Sequence, residues 1–252
     1  MKQVTFDDIY ILGCIVAEND LYRHYHYPEM LIRYDSNFIE FKKQPSLTEL
    51  KEAENYLREF HLRQGQKHVK FCFPENVQLE RELVDYLNGS GYENGFLELY
   101  AIQPDQFPEV EDQPDIDIQI VTDKNFETYL DLQYKQDLEF GSKFARAKID
   151  LAKRQFTESS IIKIIAFYKG NPAGYVDVIT TDKTAEIDNL TVEESFQKKG
   201  IGSRLQKFVM DNYPDKAVIL VADGEDTVRE MYMKQNYQYV GFQYEVQKIE
   251  GD

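Results

Sequence analysis

The sequence predicts an α/β protein built from two tandem units, and three observations lead there. Short β-branched or alternating segments separate amphipathic helical stretches in both halves of the 252 residues, which is the layered pattern of helices packed on sheets. Residues 103–115, QPDQFPEVEDQPD, hold three of the chain's eight prolines and a high acid content, a composition suited to an extended connection. The halves also echo each other. Residues 57–74 (LREFHLRQGQKHVKFCFP) and 205–222 (LQKFVMDNYPDKAVILVA) each read as a helix end, a polar turn and a buried strand. Residues 84–102 and 229–249 continue the parallel, so a cryptic internal repeat is expected. The boundaries that follow are 1–105 for the first unit, 106–115 for a linker and 116–252 for the second unit.

The elements can be justified in order. In the first half Pro45 and Ser46 precede an amphipathic run and are expected to cap a helix. No glycine occurs in residues 41–57. The second half opens with helical material over residues 125–156. Residues 161–170 and 173–181 read as two strands joined by Lys169-Gly170-Asn171-Pro172, a turn cluster suited to a hairpin. Residues 186–192, EIDNLTV, are short and alternating, and alternation sends Glu186, Asp188, Leu190 and Val192 to one side. A helix over 201–213 carries Ile201, Leu205, Phe208, Val209 and Tyr213 on one stripe. A strand (216–223), a helix (227–236) and an extended run (237–249) complete the chain.

Between the strand ending at Val192 and the helix starting at Ile201 lies a loop with two glycines. It is not a Walker loop, because neither Gly200 nor Gly202 leads into a Lys-Ser or Lys-Thr pair at the required spacing. The dinucleotide fingerprint fails too, since Leu205 stands where its third glycine belongs. What remains is Q-x-x-G-x-G at Gln197-Lys198-Lys199-Gly200-Ile201-Gly202. At a helix N-terminus the first amides have no intrahelical partner and the helix dipole adds positive charge, so a pyrophosphate suits this place. Lys198, Lys199 and Arg204 add local charge.

This segment resembles the acyl-CoA-binding motif of the GNAT superfamily of N-acetyltransferases, with Leu190-Thr191-Val192 in the place of the family's L-x-V strand. The flanking order of three strands, helix, strand, helix and strand resembles the family's core over roughly residues 116–250, and implies a mixed sheet flanked by helices. By this resemblance residues 1–105 are a degenerate GNAT-like copy. Acetyl-CoA is the implied co-substrate. Leu190 and Val192 would line its pantetheine arm, and the loop from Gln197 through Lys198, Lys199, Gly200, Ile201, Gly202 and Ser203 would hold its pyrophosphate. The family's usual tyrosine on the penultimate helix corresponds to Tyr232, with Asn236-Tyr237 replacing the family's Gly-Phe and Glu225 replacing a frequent asparagine. A phenol with a pKa of about 10 is suited to protonating a departing thiolate. Family members with a strand carboxylate carry it at the position of Glu186; Asp188 and water are the alternatives for the base.

Composition bounds the partners. A net charge of −16, divided evenly on the two sides of residue 110, disfavours nucleic acid. No apolar run of membrane-spanning length and no signal-peptide pattern is read, so a cytoplasmic protein without a membrane partner is expected. Cys14 and Cys72, two and far apart, are expected as buried free thiols, and His24-Tyr25-His26 as a solvated loop rather than a metal site. The expected acceptor is a small-molecule or peptide amine. A non-catalytic acyl-CoA sensor or scaffold is the alternative function.

Overall fold

β1 (Cys14–Glu18) and β2 (Tyr22–His26) form an antiparallel hairpin, its turn held by Asn19, whose side-chain oxygen accepts from the amides of Leu21 and Tyr22. β3 (Phe38–Phe41) pairs antiparallel with β2 and parallel with β4 (His68–Cys72). A parallel pair needs a crossover, and α1 (Leu47–Arg63) supplies it. Ser46 caps that helix as anticipated. Its hydroxyl accepts from the Glu49 amide, and the Glu49 carboxylate accepts from the Ser46 amide at 2.7 Å, the reciprocal bonds of a capping box. α2 (Arg81–Gly89) and β5 (Glu93–Ile102) follow. Ile39, Phe41, Leu50, Leu57, Phe71 and Leu87 bury the apolar face of the helices against these strands.

Further along, β6 (Ile116–Ile120) precedes α3 (Phe126–Asp137) and α4 (Ser142–Gln155), which are separated by a 3-10 turn at Leu138–Phe140 and by Gly141. β7 (Ile161–Tyr168), β8 (Asn171–Thr180) and β9 (Thr184–Val192) form an antiparallel meander, and β6 pairs with β7. The expected hairpin turn is made by Lys169 and Gly170, both in the left-handed region. After β9 come α5 (Ile201–Asn212), β10 (Ala217–Asp223), α6 (Arg229–Lys234) and β11 (Gln238–Ile249).

The structure is a computed structural model describing residues 4–224 and 229–249; Glu225, which the motif alignment singled out, lies outside the described residues. Two compact units divide the chain: the first comprises Met1–Leu99, Ala222–Arg229 and Val240–Asp252, the second Tyr100–Val221 and Glu230–Tyr239. Strand order in the first is β1-β2-β3-β4-β11-β5, and in the second β10-β9-β8-β7-β6.

This division differs from the expected boundaries at the C-terminal end. Glu245 to Ile249 of β11 pair antiparallel with Cys72 to His68 of β4, so the last strand is built into the first unit's sheet. Lys70 Nζ reinforces the pairing with an ion pair of 2.7 Å to Glu245. Nor are residues 106–115 a free linker. Phe107 is buried and meets Tyr237 edge-on at 6.3 Å, and the Arg204 guanidinium binds the Glu111 carbonyl and Asp112. An apolar anchor and a paired acid hold the segment against the second unit.

Two smaller expectations also change. His24 and His26 lie on β2 and are buried, among His61, His68 and Phe60, rather than in a solvated loop. No group of three or more His, Cys, Asp or Glu among the described residues is arranged to hold a metal ion. Cys14 is exposed, because β1 is the edge strand, and only Cys72 is buried.

Candidate active site

Register decides which side chains share a face at the end of β9. Glu186 stands opposite Ile179 and Asp188 opposite Asp177, but Thr191, three residues on, stands opposite Tyr175, only two residues away on β8. One extra residue therefore bulges out of β9. Asn189 takes the strain with φ +49°, and the Asp188 carboxylate holds it by accepting from the Asn189 amide at 2.9 Å and from Asn189 Nδ2 at 3.0 Å. The bulge breaks the expected alternation. Thr191 joins Glu186 and Asp188 on one face, while Val192 moves to the face of Ile187. Gly174 permits this crowding, since a β-carbon there would lie 2.6 Å from the Thr191 carbonyl oxygen.

On its other edge β9 pairs parallel with β10 through Thr184, Ala185 and Glu186, opposite Ala217, Val218 and Ile219. Among the described residues the ladder ends there. Residues 187–192 thus leave their pairing with β10 before the chain enters the glycine loop.

The loop runs through a 3-10 turn at Glu194–Phe196 and delivers Gly200 as the residue capping α5. Gly200 has φ +80° and Lys198 +60°, two left-handed residues that turn the chain into the helix. The first intrahelical bond is from the Arg204 amide to the Gly200 carbonyl at 3.1 Å, which leaves the amides of Ile201, Gly202 and Ser203 without intrahelical partners. Ile201 and Leu205 are buried, as expected, whereas Gln206 and Met210 replace Phe208 on the buried stripe. Gln197 Nε2 reaches back to the Val192 carbonyl at 3.4 Å, and Lys199 Nζ to the Ser195 carbonyl at 2.8 Å. Leu190 and Val192 approach Gly202: a β-carbon there would be in ordinary contact with both side chains. Arg204, by contrast, is drawn to the 109–113 segment and adds no free charge at the amides.

Tyr232 is half-buried on α6, its ring 5.1 Å from Tyr100 and 5.6 Å from Tyr237. The end of this helix is tied to the start of α5, because Gln235 Nε2 donates to Ser203 Oγ at 3.4 Å and the Tyr237 hydroxyl donates to Gln206 Oε1 at 2.9 Å. Burial, with Tyr232 beside it, pushes the Tyr237 phenol pKa up. Asn236, in place of the family's glycine, has φ +66°, a conformation that asparagine tolerates better than most residues.

Sequence reasoning missed a polar cluster on the face that Glu186 and Asp188 share. The Tyr129 hydroxyl of α3 donates to Asp177 Oδ1 at 2.7 Å, and Lys163 Nζ of β7 donates to Asp177 Oδ2 at 2.9 Å, all three residues being buried. Burial and the Asp177 carboxylate hold the Tyr129 phenol well above the ordinary range. The only signal in the sequence was a charged residue in each of two apolar strands, Lys163 and Asp177, which the hairpin register brings opposite each other.

Comparison with known proteins adds to this geometry. The profile of the acetyltransferase (GNAT) family matches residues 96–237, and that of a domain of unknown function, DUF5613, matches residues 4–100. No curated protein matches the chain. Among solved structures, a functionally unknown conserved protein from Staphylococcus epidermidis ATCC 12228 is 34% identical over 98% of each chain, with a TM-score of 0.91. A GCN5-related N-acetyltransferase from Kribbella flavida shares 11% identity over 95% of this chain and 90% of its own, with a TM-score of 0.63. A tandem GNAT protein from the clavulanic acid biosynthesis pathway shares 10% identity over 85% and 76%, with a TM-score of 0.54. The last two likenesses concern the fold.

Proposed function

The chain belongs to the acetyltransferase (GNAT) family, and on that premise we propose that its second unit transfers an acetyl group from acetyl-CoA to a primary amine by direct attack. The observation that carries the reading is the edge of β9 released beyond Glu186 and leading into the amides at the start of α5 that lack intrahelical partners. A pantetheine arm has the amides to pair with such an edge, and a pyrophosphate has the charge to end on the helix N-terminus. Leu190 and Val192 line the arm, and the backbone from Lys198 to Ser203 takes the pyrophosphate.

The chemistry needs an uncharged amine, attack on the thioester carbonyl and a proton for the thiolate that leaves. Glu186, buried on the face turned toward α3, accepts the amine's proton directly or through water. Asp188 is the weaker candidate, since both of its oxygens are engaged with Asn189. As the carbon–sulfur bond breaks, Tyr232 gives its phenolic proton to sulfur. Titration calorimetry with acetyl-CoA, followed by thiol release over a panel of amines, tests the proposal. Absence of acetyl-CoA binding removes it, and binding without turnover on any amine favours a sensor or scaffold.

A further inference from the structure

Residues 109–113, EVEDQ, run as a strap past the start of α5. Both ends of the strap are fixed. On one side Phe107 is buried and the Gln106 carbonyl accepts from Asn236 Nδ2 at 2.9 Å. On the other the Ile116 amide, at the head of β6, donates to the Gln113 carbonyl at 3.0 Å. Pro108 and Pro114 bracket the segment and stiffen the chain where it enters and leaves. Between these anchors the strap is not packed down: Glu109, Val110 and Asp112 on its side, and Ile118 of β6 and Phe208 of α5 on the other, line a cavity of about 430 Å³.

The strap touches the helix through polar groups. The Arg204 guanidinium donates to the Glu111 carbonyl and pairs with Asp112 at 3.4 Å. Gln113 stands over Gly200, where a β-carbon would lie 3.4 Å from Gln113 Nε2. One residue before it, Asp112 brings a carboxylate to the same end of the helix, and such a charge repels an incoming anion over about 10 Å at 0.1 M salt. The pairing is a weak one. Arg204 is largely buried but Asp112 is fully exposed, and an ion pair with an exposed partner adds little. Arg204 Nε is also buried without a hydrogen-bond partner among the described residues, so the strap leaves the guanidinium incompletely satisfied. A phosphoryl group, whose oxygens take two parallel N–H bonds from a guanidinium, satisfies it better.

We propose that residues 109–113 are an autoinhibitory strap at the anion site: Asp112 occupies Arg204 in the free protein, and a phosphoryl group of CoA displaces it as the cofactor is seated. The inference rests on the acetyltransfer reading, which supplies the cofactor, and adds to it a regulation of the same site. No covalent bond changes. One ion pair is exchanged for another, and the exposed residues Glu111, Asp112 and Gln113 lift between the two anchors. The native protein therefore binds CoA less tightly than the glycine loop and Arg204 would without the strap.

Calorimetry on the full chain with CoA reads the exchange without turnover. Asp112→Asn keeps the shape of the strap and removes its charge, and should tighten CoA binding at least threefold. Gln113→Glu, which brings a further carboxylate over Gly200, should weaken it at least threefold. Both positions are exposed, so the variants should fold, which circular dichroism checks. Arg204→Met should weaken CoA binding and, combined with Asp112→Asn, should erase most of the gain that Asp112→Asn gives alone. Equal CoA affinity in the native protein and Asp112→Asn overturns the strap and leaves the loop assignment standing. A gain from Asp112→Asn that is undiminished beside Arg204→Met overturns it too, since the strap would then act without that arginine. Absence of CoA binding in every variant and in the native protein removes the acetyltransfer reading, and the strap with it.

Discussion

The hydroxyl of Tyr237 donates to Gln206 Oε1 at 2.9 Å with both side chains buried, so the segment that follows α6 is fastened to the second turn of α5. Tyr232, five residues earlier, is held in place by that fastening and by the bond from Gln235 to Ser203. Tyr237→Phe keeps the ring packing against Phe107 and Tyr232 but strands a buried amide oxygen. The expected loss is about 1–3 kcal/mol, read as a lower urea midpoint. A change below about 0.5 kcal/mol would show that Gln206 finds another donor.

Gly202→Asp separates cofactor binding from folding. Gly202 is not left-handed, and a β-carbon there meets Val192 and Leu190 only at ordinary contact distance. An acid in the first turn also agrees with the helix dipole, so the variant should fold. Its carboxylate would oppose a pyrophosphate at the same amides, and acetyl-CoA affinity should fall at least tenfold, about 1.4 kcal/mol. Unchanged affinity in calorimetry would remove the loop from the cofactor site.

Tyr232→Phe and Glu186→Gln should fail in different ways. If the Tyr232 phenol is the proton donor, Tyr232→Phe should lose roughly 10²- to 10⁴-fold in kcat, with Michaelis constants nearly constant and no recovery at high pH. Loss of the strand carboxylate should be most severe below the acceptor's pKa and shrink as rising pH supplies free amine. A kcat within threefold of the native value in Tyr232→Phe would leave that ring a packing role against Tyr100, and a pH-independent Glu186→Gln defect would count against the base.

The first unit should be sensitive to acid through its histidines. Burial holds His24 down to about 3 and His61 and His68 to about 4, and lowers His26 as well. Two of these rings already use a ring N–H: His61 Nδ1 donates to the His68 carbonyl at 2.7 Å and His68 Nε2 to the Asn37 carbonyl at 2.8 Å. A histidine depressed in the folded state contributes stability that is complete above its unfolded pKa of about 6.5. That contribution is lost as pH falls from there toward 4 and 3. Urea midpoints followed by circular dichroism should be level from pH 7 to 8.5 and drop steeply between pH 6.5 and 4. His24→Phe should flatten part of that drop, and an acid limb unchanged by it would assign the loss to carboxylates.

A truncation beginning at residue 116 removes β4, the partner of residues 245–249. The remaining chain should fail to unfold cooperatively and should aggregate, as an unpaired strand edge invites. A monomeric, cooperatively folding fragment that binds acetyl-CoA would show that β11 can pair elsewhere.

Local chemistry was readable because it acts over a few residues. Ser46 and Glu49 announce a cap, Lys169-Gly170 a turn, and Gln197 to Gly202 a glycine-led helix start, each by rules that need no distant partner. The order of helices and strands in both halves followed from periodicity, and the division into two α/β units from the echo between them. Pairing is a different matter. Nothing within residues 238–249 says that they will lie beside β4, since a strand's partner is chosen by the whole sheet.

The bulge at Asn189 was hidden for the same reason: it is a mismatch of one residue between β9 and β8, so neither strand records it alone. It nevertheless decides that Thr191, not Val192, faces the side of Glu186. By itself the sequence determined the family, the loop that suits a pyrophosphate and the candidate tyrosine and carboxylate. Tertiary structure alone decided the company these residues keep, because register, strand exchange and helix facing are set by contacts between segments far apart in the chain.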